Sequence, residues 1–390
     1  MDHVLAIDQG THASRALLFD GQGRQVAAHQ APVALRRPRA GCAEQDAEEI
    51  VASLRTVVAR VIGALPAARR DHICACGLAC QRSTVLAWRA DGAPLSAAIG
   101  WQDTRGAPLV EALRPHAAAI RARSGLPLSA YYGASKLHWL QRRLGDEPRL
   151  RLGPLASFLL DRLSDAGHVV DHSNAQRMQL LDVERLDWSP QLAAWFGVGL
   201  DGLPACRPVL NDYGVLAGYD IPLTAVCGDQ NAAWHGSGAA AGGCALVNLG
   251  LGSPWWHHGG TPSFHLDDAR HGCAERAVAV VESIVFLLQC NLQHMARYST
   301  ITRLRVSGGL SRLDGLCRKL ADLSGLPVTR CEAREASARG VAWLAAGRPD
   351  GWRLAEYPAH FEPQADAALR ARYRRFVDLI RQLTEGTDGH

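Results

Sequence analysis

Residues 226–231 read VCGDQN and lie near the middle of the chain. The apolar run Ile221–Cys227 predicts a strand that stops at Gly228 and is followed at once by one carboxylate, Asp229, and two amide side chains. A small-residue segment then begins. This order predicts a strand that delivers an acidic side chain to a cleft.

A similar arrangement stands at the start of the chain, where the apolar run Val4–Ile7 leads into the residues DQGT at 8–11. The turn can present backbone N–H groups and the hydroxyls of Thr11 and Ser14 to an anion, while Asp8 is suited to hold a hydrated cation. An ordinary hairpin explains this turn equally well when it is considered alone. Together, however, the two Asp-Gln pairs predict opposite walls of one site.

Length and composition limit the class of protein. A chain of 390 residues with 47% hydrophobic side chains is typical of a two-domain α/β protein. Prolines and glycines between about 200 and 222 predict an interdomain crossing, so we expect domains at 1–220 and 221–390.

Charge and cysteine content point to the compartment and exclude some partners. The net charge of +4 gives no reason to expect a nucleic acid partner, and only Lys136 and Lys319 among the 42 basic residues are lysines. Eleven irregularly spaced cysteines indicate free thiols in a reducing compartment. The first residues do not resemble a signal peptide and no long apolar run stands out as a membrane span, so we expect a cytoplasmic protein without membrane contact.

Several polar clusters are ambiguous when taken singly. Arg82 follows an apolar strand and can bind a polar ligand, and WQDTR at 101–105 suits either a small hydrophilic pocket or a solvated loop. Tyr131 or Tyr132 could close over a ligand or pack in the core. The cysteines at 74–80 fit no zinc pattern, and the histidine-rich stretch 255–272 favours a solvated loop over a metal site.

The second half contains two glycine turns of functional interest. Gly250, Gly252 and Ser253 interrupt a strand in the same relative place as the first turn, which suggests duplicated domains facing one cleft. Strand Leu304–Val306 runs into Gly308 and Gly309, whose backbone can approach adenine or ribose, and we expect Ser311 to cap the next helix. Neither the first turn, which carries Thr11 and Ser14, nor the turn with Gly250, Gly252 and Ser253 is a nucleotide P-loop.

These landmarks, in this order, resemble the carbohydrate kinase family that includes glycerol kinase and xylulokinase, with the glycerol kinase branch closest. The resemblance extends over nearly the whole chain and rests on eight stretches: DQGTHASRALLF at 8–19, QR at 81–82, WQDTR at 101–105, GLPLSAYYGASKLHWL at 125–140, SNAQRMQLLD at 173–182 with LDW at 186–188, CGDQNAA at 227–233, ESIVF at 282–286, and SGGLSRLDGL at 307–316 with LSGLPV at 323–328.

The resemblance implies two actin-like, ribonuclease H-like α/β domains with mixed sheets that close on ATP and a sugar or polyol. It implies that Asp229 is the general base and that Asp8 and Asp229 surround Mg²⁺. The phosphate and nucleotide residues implied are Thr11, Ser14, Arg15, Gly250, Gly252, Ser253, Gly308 and Gly309. The acceptor pocket implied is formed by Arg82, Ser83, Trp101, Asp103, Tyr131 and Gln230. Relatives are often dimers or tetramers, so a homo-oligomer stays open.

The chain also departs from the family pattern. Ser83 stands where glycerol kinases carry an acidic residue, which favours an acceptor other than glycerol, and Leu251 replaces a usual threonine. The asparagine expected after the adenosine glycines is absent, with Leu313 or Asp314 in its place, and the chain is shortened between Gly259 and Ala277. Two functions therefore remain: an ATP-dependent sugar or polyol kinase, and a catalytically impaired relative that binds a polyol or nucleotide as a sensor or partner.

Overall fold

The computed structural model of the chain describes residues 2–145, 147, 149–238, 243–249, 273–331, 335–352 and 358–385. These residues form two compact units, the first made of residues 1–236 and 335–354 and the second of residues 237–334 and 355–390. The first unit continues past the boundary expected at 220, because the strand that precedes Asp229 belongs to its central sheet. A later helix returns to the same unit.

The described residues contain mixed helices and strands. The helices are α1 Ala47–Gly63, α2 Ala67–Arg70, α3 Ala107–Ala112, α4 Ala117–Ser124, α5 Gly133–Leu144, α6 Leu155–Leu163, α7 His172–Gln176, α8 Pro190–Phe196, α9 Asp229–Gly236, α10 Cys273–Met295, α11 Asp314–Ser324, α12 Ala336–Ala345 and α13 Ala367–Glu385. The strands are β1 His3–Gln9, β2 Ala13–Asp20, β3 Gln25–Pro32, β4 Glu44–Gln45, β5 Ile73–Cys80, β6 Val85–Arg89, β7 Ala98–Ile99, β8 Leu150–Pro154, β9 Val169–Asp171, β10 Leu181–Asp182, β11 Asp187–Trp188, β12 Ala205–Arg207, β13 Leu223–Gly228, β14 Cys244–Asn248, β15 Arg303–Ser307, β16 Val328–Arg330 and β17 Ala359–Phe361.

The central sheet of the first unit has the strand order β13-β5-β1-β2-β3. Strands β13, β5 and β1 run parallel, whereas β1, β2 and β3 form an antiparallel meander. The three parallel strands therefore end at one edge of the sheet, and the polar residues that follow them meet there.

Both faces of this sheet are buried, because successive side chains of β1 point to opposite faces and all of them are buried. Leu5 and Ile7 pack in the core on the side of α1, whereas Val4 and Ala6 pack in the core that includes α12. A second sheet, with the order β4-β7-β6-β8, lies in the same unit and carries the loops around residues 82 and 100.

The first helix shows what local sequence determines and what it does not. Residues 44–65 carry apolar side chains at helical spacing, and the sequence predicts a helix there with Asp46 and Glu49 in capping-box positions. The helix is confirmed as α1, although Glu44 and Gln45 form the short strand β4 instead. Asp46 caps it by accepting from the backbone N–H groups of Glu48 and Glu49, whereas the Glu49 carboxylate accepts from the N–H of Ala34.

The described part of the second unit contains a four-stranded sheet with the order β14-β15-β16-β17. The expected Ser311 cap is wrong: α11 begins at Asp314 without a side-chain cap, and the Ser311 hydroxyl donates to the carbonyl of Gly308. Within α10, Ala277–Met295 is long and apolar enough to span a membrane by length and composition. It also supplies Val285, Phe286 and Leu292 to the core of this unit, and 28% of this stretch is buried.

Candidate active site

Three polar segments meet where the parallel strands end. In the strand register, Gln9 of β1 and Gly228 of β13 both align with Cys80 of β5. Asp8, Arg82 and Asp229 are therefore neighbours in space although more than 70 positions separate each from the next. The sequence prediction that the two Asp-Gln pairs face one site agrees with this register.

Asp229 is the first residue of α9 and directly follows β13. Its Oδ1 lies 3.3 Å from Nε of Arg82, and the same oxygen accepts from the backbone N–H of Gln230 at 2.7 Å. The Gln230 side chain lies 3.5 Å from Oδ2. Burial raises the pKa of Asp229, with Arg82 opposing the increase. About a quarter of the side chain, 26%, stays exposed, so the carboxylate can reach a bound molecule.

Asp8 has fewer favourable contacts than its burial requires. Its Oδ2 lies 3.3 Å from Nη1 of Arg15, and Arg15 is shared with Glu335, whose Oε2 lies 3.4 Å from Nε. Burial raises the pKa of Asp8 to about 7, and the nearby charges of Asp229 and Glu335 act in the same direction against Arg15. The edge therefore holds two carboxylates that repel each other.

An amide network fixes the first turn. The Thr11 hydroxyl accepts from Nε1 of Trp101 at 2.9 Å and approaches Oε1 of Gln81 at 3.4 Å. Gln81 in turn donates to the amide oxygens of Gln9 at 3.0 Å and Gln45 at 2.8 Å. The Thr11 side chain is thus held beside Trp101, and two residues predicted for different parts of the site are in direct contact.

Aromatic side chains form a wall next to this network. The rings of Trp101 and Tyr131 meet edge to face with centroids 5.8 Å apart, and Tyr131 meets Tyr132 at 5.2 Å. The Arg177 guanidinium lies 4.7 Å from the Tyr132 ring and 5.5 Å from the Tyr131 ring. Arg177 also lowers the pKa of Arg82 through charge repulsion, after burial, the larger cause.

Two predicted site residues are already engaged elsewhere. Asp103 is fully buried and both its oxygens accept from Arg105, while Oδ2 also accepts from the N–H of Ala43. Ser14 is fully buried, and its hydroxyl shares a 2.7 Å hydrogen bond with that of Ser53 on α1. The structure does not bring either side chain to the open strand edge.

Ser83 contributes its backbone rather than its hydroxyl. It is buried with a positive φ of 62°, and its Oγ has no hydrogen-bond partner among the described residues. Its carbonyl accepts from Nζ of Lys136, a fully buried lysine of α5 that the sequence did not single out.

A second set of residues that sequence reasoning missed supports the end of β13. Asp171 caps α7 and accepts from the hydroxyl of Ser173, which in turn accepts from the backbone N–H of Gly228 at 2.8 Å. This chain of bonds fixes the residue just before Asp229. The signal available in the sequence was the pattern of Asp followed by Ser and Asn, a frequent helix start.

The nucleotide turn predicted in the second unit is partly visible. Gly308 adopts a φ of 89°, and a Cβ there would lie 2.6 Å from Oδ1 of Asn248, so a side chain would clash. A Cβ on Gly309 would meet no atom of the described residues within 4 Å, so it has none of the close contacts found at Gly308. The predicted residues Gly250, Gly252 and Ser253 lie outside the described residues, as do Leu251 and residues 259–272.

The donor set at the strand edge suits magnesium. Across the described ranges, no cluster of three or more His, Cys, Asp or Glu side chains could hold a metal ion. Mg²⁺, however, usually takes one or two carboxylates, with phosphate oxygens and water completing its shell. Asp8 and Asp229 supply that pair, and a cation would oppose the burial and the carboxylate repulsion that raise the pKa of Asp8. The residues therefore fit the ion.

Comparison with known families matches both halves of the chain. The N-terminal domain model of the FGGY family of carbohydrate kinases matches residues 3–234, and the C-terminal domain model matches residues 248–347. Together they cover more than half of the chain, including both Asp-Gln pairs and the glycine pair of the second unit.

Individual relatives also match the chain over nearly its whole length. A glycerol kinase of Cereibacter sphaeroides (strain ATCC 17023) is 30% identical over 494 aligned positions that include 98% of this chain and 99% of the relative. One of Thermococcus kodakarensis is 28% identical over 97% of this chain and 96% of the relative. Because the first alignment is longer than the 390 residues present here, the relative has residues that this chain lacks.

Solved structures share the fold. Glycerol kinase of Plasmodium falciparum with ADP superposes with a TM-score of 0.82 at 19% identity, covering 99% of this chain and 98% of that one. Xylulose kinase of Lactobacillus acidophilus gives a TM-score of 0.85 at 15% identity, with coverage of 100% and 99%. The expected two-domain, actin-like α/β fold is confirmed.

Proposed function

The chain belongs to the FGGY family of carbohydrate kinases, and on that basis we propose that it transfers the γ-phosphoryl group of ATP to a hydroxyl of a small sugar or polyol with Asp229 as general base. The family implies a sugar or polyol kinase that uses ATP. The assignment of Asp229, the use of Mg²⁺ and the identity of the acceptor are the parts we propose.

The observation that carries the proposal is the position of Asp229 at the edge where three parallel strands end. A sugar hydroxyl is a weak nucleophile, so a carboxylate within hydrogen-bond reach accelerates its attack by accepting the proton. The raised pKa of Asp229 makes its carboxylate a stronger base than an ordinary aspartate. Its partial exposure leaves one side of the carboxylate open to an acceptor.

The reaction conserves atoms and charge in a simple way. The acceptor O–H bond breaks and its proton passes to the Asp229 carboxylate. The acceptor oxygen forms a bond to the γ-phosphorus, and the bond between that phosphorus and the bridging oxygen breaks to release ADP. Catalysis of this kind rests on positioning and on neutralising phosphoryl charge.

The remaining residues have positioning roles in the proposal. Arg82 orients Asp229 through its ion pair and is itself held by Asn231, whose Oδ1 accepts from Nη1 at 3.0 Å. Trp101, Tyr131 and Gln230 border the acceptor. Mg²⁺, held by Asp8 and Asp229, would offset the charge of the phosphate oxygens. The backbone of Gly308 and Gly309 would approach the adenosine.

We propose a different part for three of the predicted site residues. Asp103 and Ser14 are engaged in internal hydrogen bonds, so we propose that they hold the walls of the site without touching a ligand. Arg15 is divided between Asp8 and Glu335, and we propose that it turns to phosphate when a cation neutralises Asp8.

A catalytically impaired relative that only binds a polyol or nucleotide is the second candidate. The observation that favours it is the length of the alignment with the Cereibacter glycerol kinase, which includes residues missing from this chain. If those residues support nucleotide binding, a sensor function follows from the same fold.

The two candidates separate in one assay on the full chain. Acceptor-dependent ADP release from MgATP is measured with glycerol, erythritol, pentuloses, pentitols and hexoses, and reactions without acceptor serve as the control. Calorimetry measures MgATP binding in parallel. Release with one acceptor, absent in the Asp229→Asn variant, supports the kinase. Binding of MgATP or of a polyol without release on any acceptor contradicts it and supports the sensor.

A further inference from the structure

Lys136 lies at a meeting point of the backbone segments that border the acceptor. Its Nζ donates to the carbonyl oxygens of Ser83 at 2.6 Å, Gly100 at 3.1 Å and Tyr131 at 3.0 Å. Ser83 follows Arg82, Gly100 precedes Trp101, and Tyr131 belongs to the aromatic wall. One ammonium group thus joins three segments that are distant in the sequence.

The number of bonds matches the chemistry of the group. A protonated lysine has three N–H donors and no acceptor, so three carbonyl oxygens satisfy it completely. The side chain is fully buried, and burial lowers its pKa to about 7, with nearby Asp103 opposing the decrease and Arg105 adding to it. A charge in such a place is retained only if its bonds offset the cost of leaving water.

The choice of lysine is itself informative. Lys136 and Lys319 are the only lysines among 42 basic residues. Lys319 pairs with the Glu282 carboxylate and is 27% exposed, a setting in which arginine would serve as well. At Lys136 the three acceptors surround one compact ammonium, whereas the flat guanidinium of arginine projects its donors in a single plane. At Lys136, unlike at Lys319, the geometry favours a point charge.

We infer that Lys136 is a positioning residue for acceptor binding, which sets the backbone that carries Arg82, Trp101 and Tyr131 by binding the carbonyls of residues 83, 100 and 131. The inference rests on the proposed kinase function for its kinetic part. It predicts a selective effect: the acceptor binds less well without Lys136, while the nucleotide is unaffected.

The alternative is that Lys136 only fills the core beside α5. A residue with that role would lower stability and reduce the apparent kcat in proportion to the fraction unfolded, while each KM would stay unchanged. Leu140, also fully buried and on the same helix, provides the matched control, because Leu140→Ala destabilises the core without removing a bond to the three carbonyls.

The test compares the wild-type chain with Lys136→Met, Lys136→Gln and Leu140→Ala. Methionine keeps the length of the side chain and removes all donors, whereas glutamine keeps two N–H donors without charge. We expect the acceptor KM to rise about ten-fold or more in Lys136→Met, since small misplacements of positioning groups are costly. Lys136→Gln should be intermediate, and the KM for MgATP should stay constant. An unchanged acceptor KM in both variants, or an equal rise in Leu140→Ala, would overturn the inference.

A second readout does not depend on turnover or on the folding of the methionine variant. Hydrogen exchange is followed by mass spectrometry in segments 81–85, 99–103 and 129–133 of Lys136→Gln. Faster exchange in all three segments, with the core strand β1 unchanged, supports the inference. Wild-type exchange in these segments overturns it. If the wild-type chain phosphorylates no acceptor, the proposed function fails on its own, and exchange alone decides the role of Lys136.

Discussion

Two aspartates in the first unit each face an arginine and differ in what their carboxylates can still bind. Asp103 has no exposed surface, and its two oxygens accept four hydrogen bonds, three from Arg105 and one from the backbone of Ala43. Asp229 also faces an arginine, but Arg82 approaches one oxygen only, at 3.3 Å, and a quarter of the side chain is exposed.

A buried carboxylate whose oxygens are fully hydrogen-bonded has a structural role. A carboxylate with oxygens that still lack partners is the better candidate for a reactive site. The Asp103 pair is complete and serves the fold. At the strand edge Asp8 and Asp229 lie close enough to repel each other, and we propose that a cation or substrate completes their contacts. Substitutions at Asp103 and at the strand edge should therefore have different effects.

The largest effect on stability is expected at Asp103. Asp103→Asn removes the charge that faces the buried Arg105 and places N–H donors against existing donors. We expect the free energy of unfolding to fall by about 3–5 kcal/mol, as when a buried ion pair loses one partner. Urea unfolding measures this, and kcat per folded molecule should change little. A stable variant with a low kcat would instead assign Asp103 a role in the reaction.

Asp8 should affect the cation rather than the fold. In Asp8→Asn the strand edge loses one of two proposed ligands, so the Mg²⁺ concentration for half-maximal activity should rise about ten-fold or more, since even indirect ligand supports matter that much. A titration of activity against Mg²⁺ at saturating ATP measures this shift. Asp20, a buried carboxylate at the end of β2 paired with Arg24, is the control position. An unchanged Mg²⁺ requirement would remove Asp8 from the metal site.

The raised pKa of Asp8 makes stability depend on pH in a known direction. The folded pKa is about 7 and the unfolded value is near 4, so the stabilising effect of protonation is full below about pH 4 and is lost as pH rises through about 7. Without Mg²⁺, the wild-type chain should therefore lose at least about 1.4 kcal/mol relative to Asp8→Asn between these limits. Urea unfolding of both proteins across pH measures the difference, and a constant difference would contradict the raised pKa.

The smallest effect is expected at Ser14. The hydroxyl bonds to Ser53, so Ser14→Ala and Ser53→Ala should each lose about 1 kcal/mol of stability and leave the KM for MgATP unchanged. A rise of that KM in Ser14→Ala alone would restore the phosphate contact that the sequence suggested.

The strand edge was predictable because its signals are local. Apolar runs that end in Asp-Gln reveal β1 and β13 within a few residues, and parallel pairing brings their ends together. Family resemblance then supplied the fold. The prediction of a Ser311 cap failed because the chain makes an extra turn before α11 begins at Asp314.

The sequence did not predict which polar side chains are already hydrogen-bonded within the fold. Three of the four bonds to Asp103 come from Arg105 in the same motif, but the fourth comes from the backbone N–H of Ala43, 60 positions earlier. Lys136 binds carbonyls that lie 53 and 36 positions away, and backbone acceptors leave no trace in side-chain patterns. The rarity of lysine in this chain says nothing about what Lys136 binds.

The most direct test of the account is the rate of phosphoryl transfer in Asp229→Asn, measured in a single turnover with saturating MgATP and acceptor, beside Asp103→Asn. We predict that Asp229→Asn lowers the rate about 10²–10⁴-fold at saturating Mg²⁺ and ATP while the free energy of unfolding is retained. Asp103→Asn should instead lower the free energy of unfolding and leave the rate of phosphoryl transfer nearly unchanged. A wild-type rate in Asp229→Asn would contradict the assignment of the general base and the distinction between the two aspartate sites.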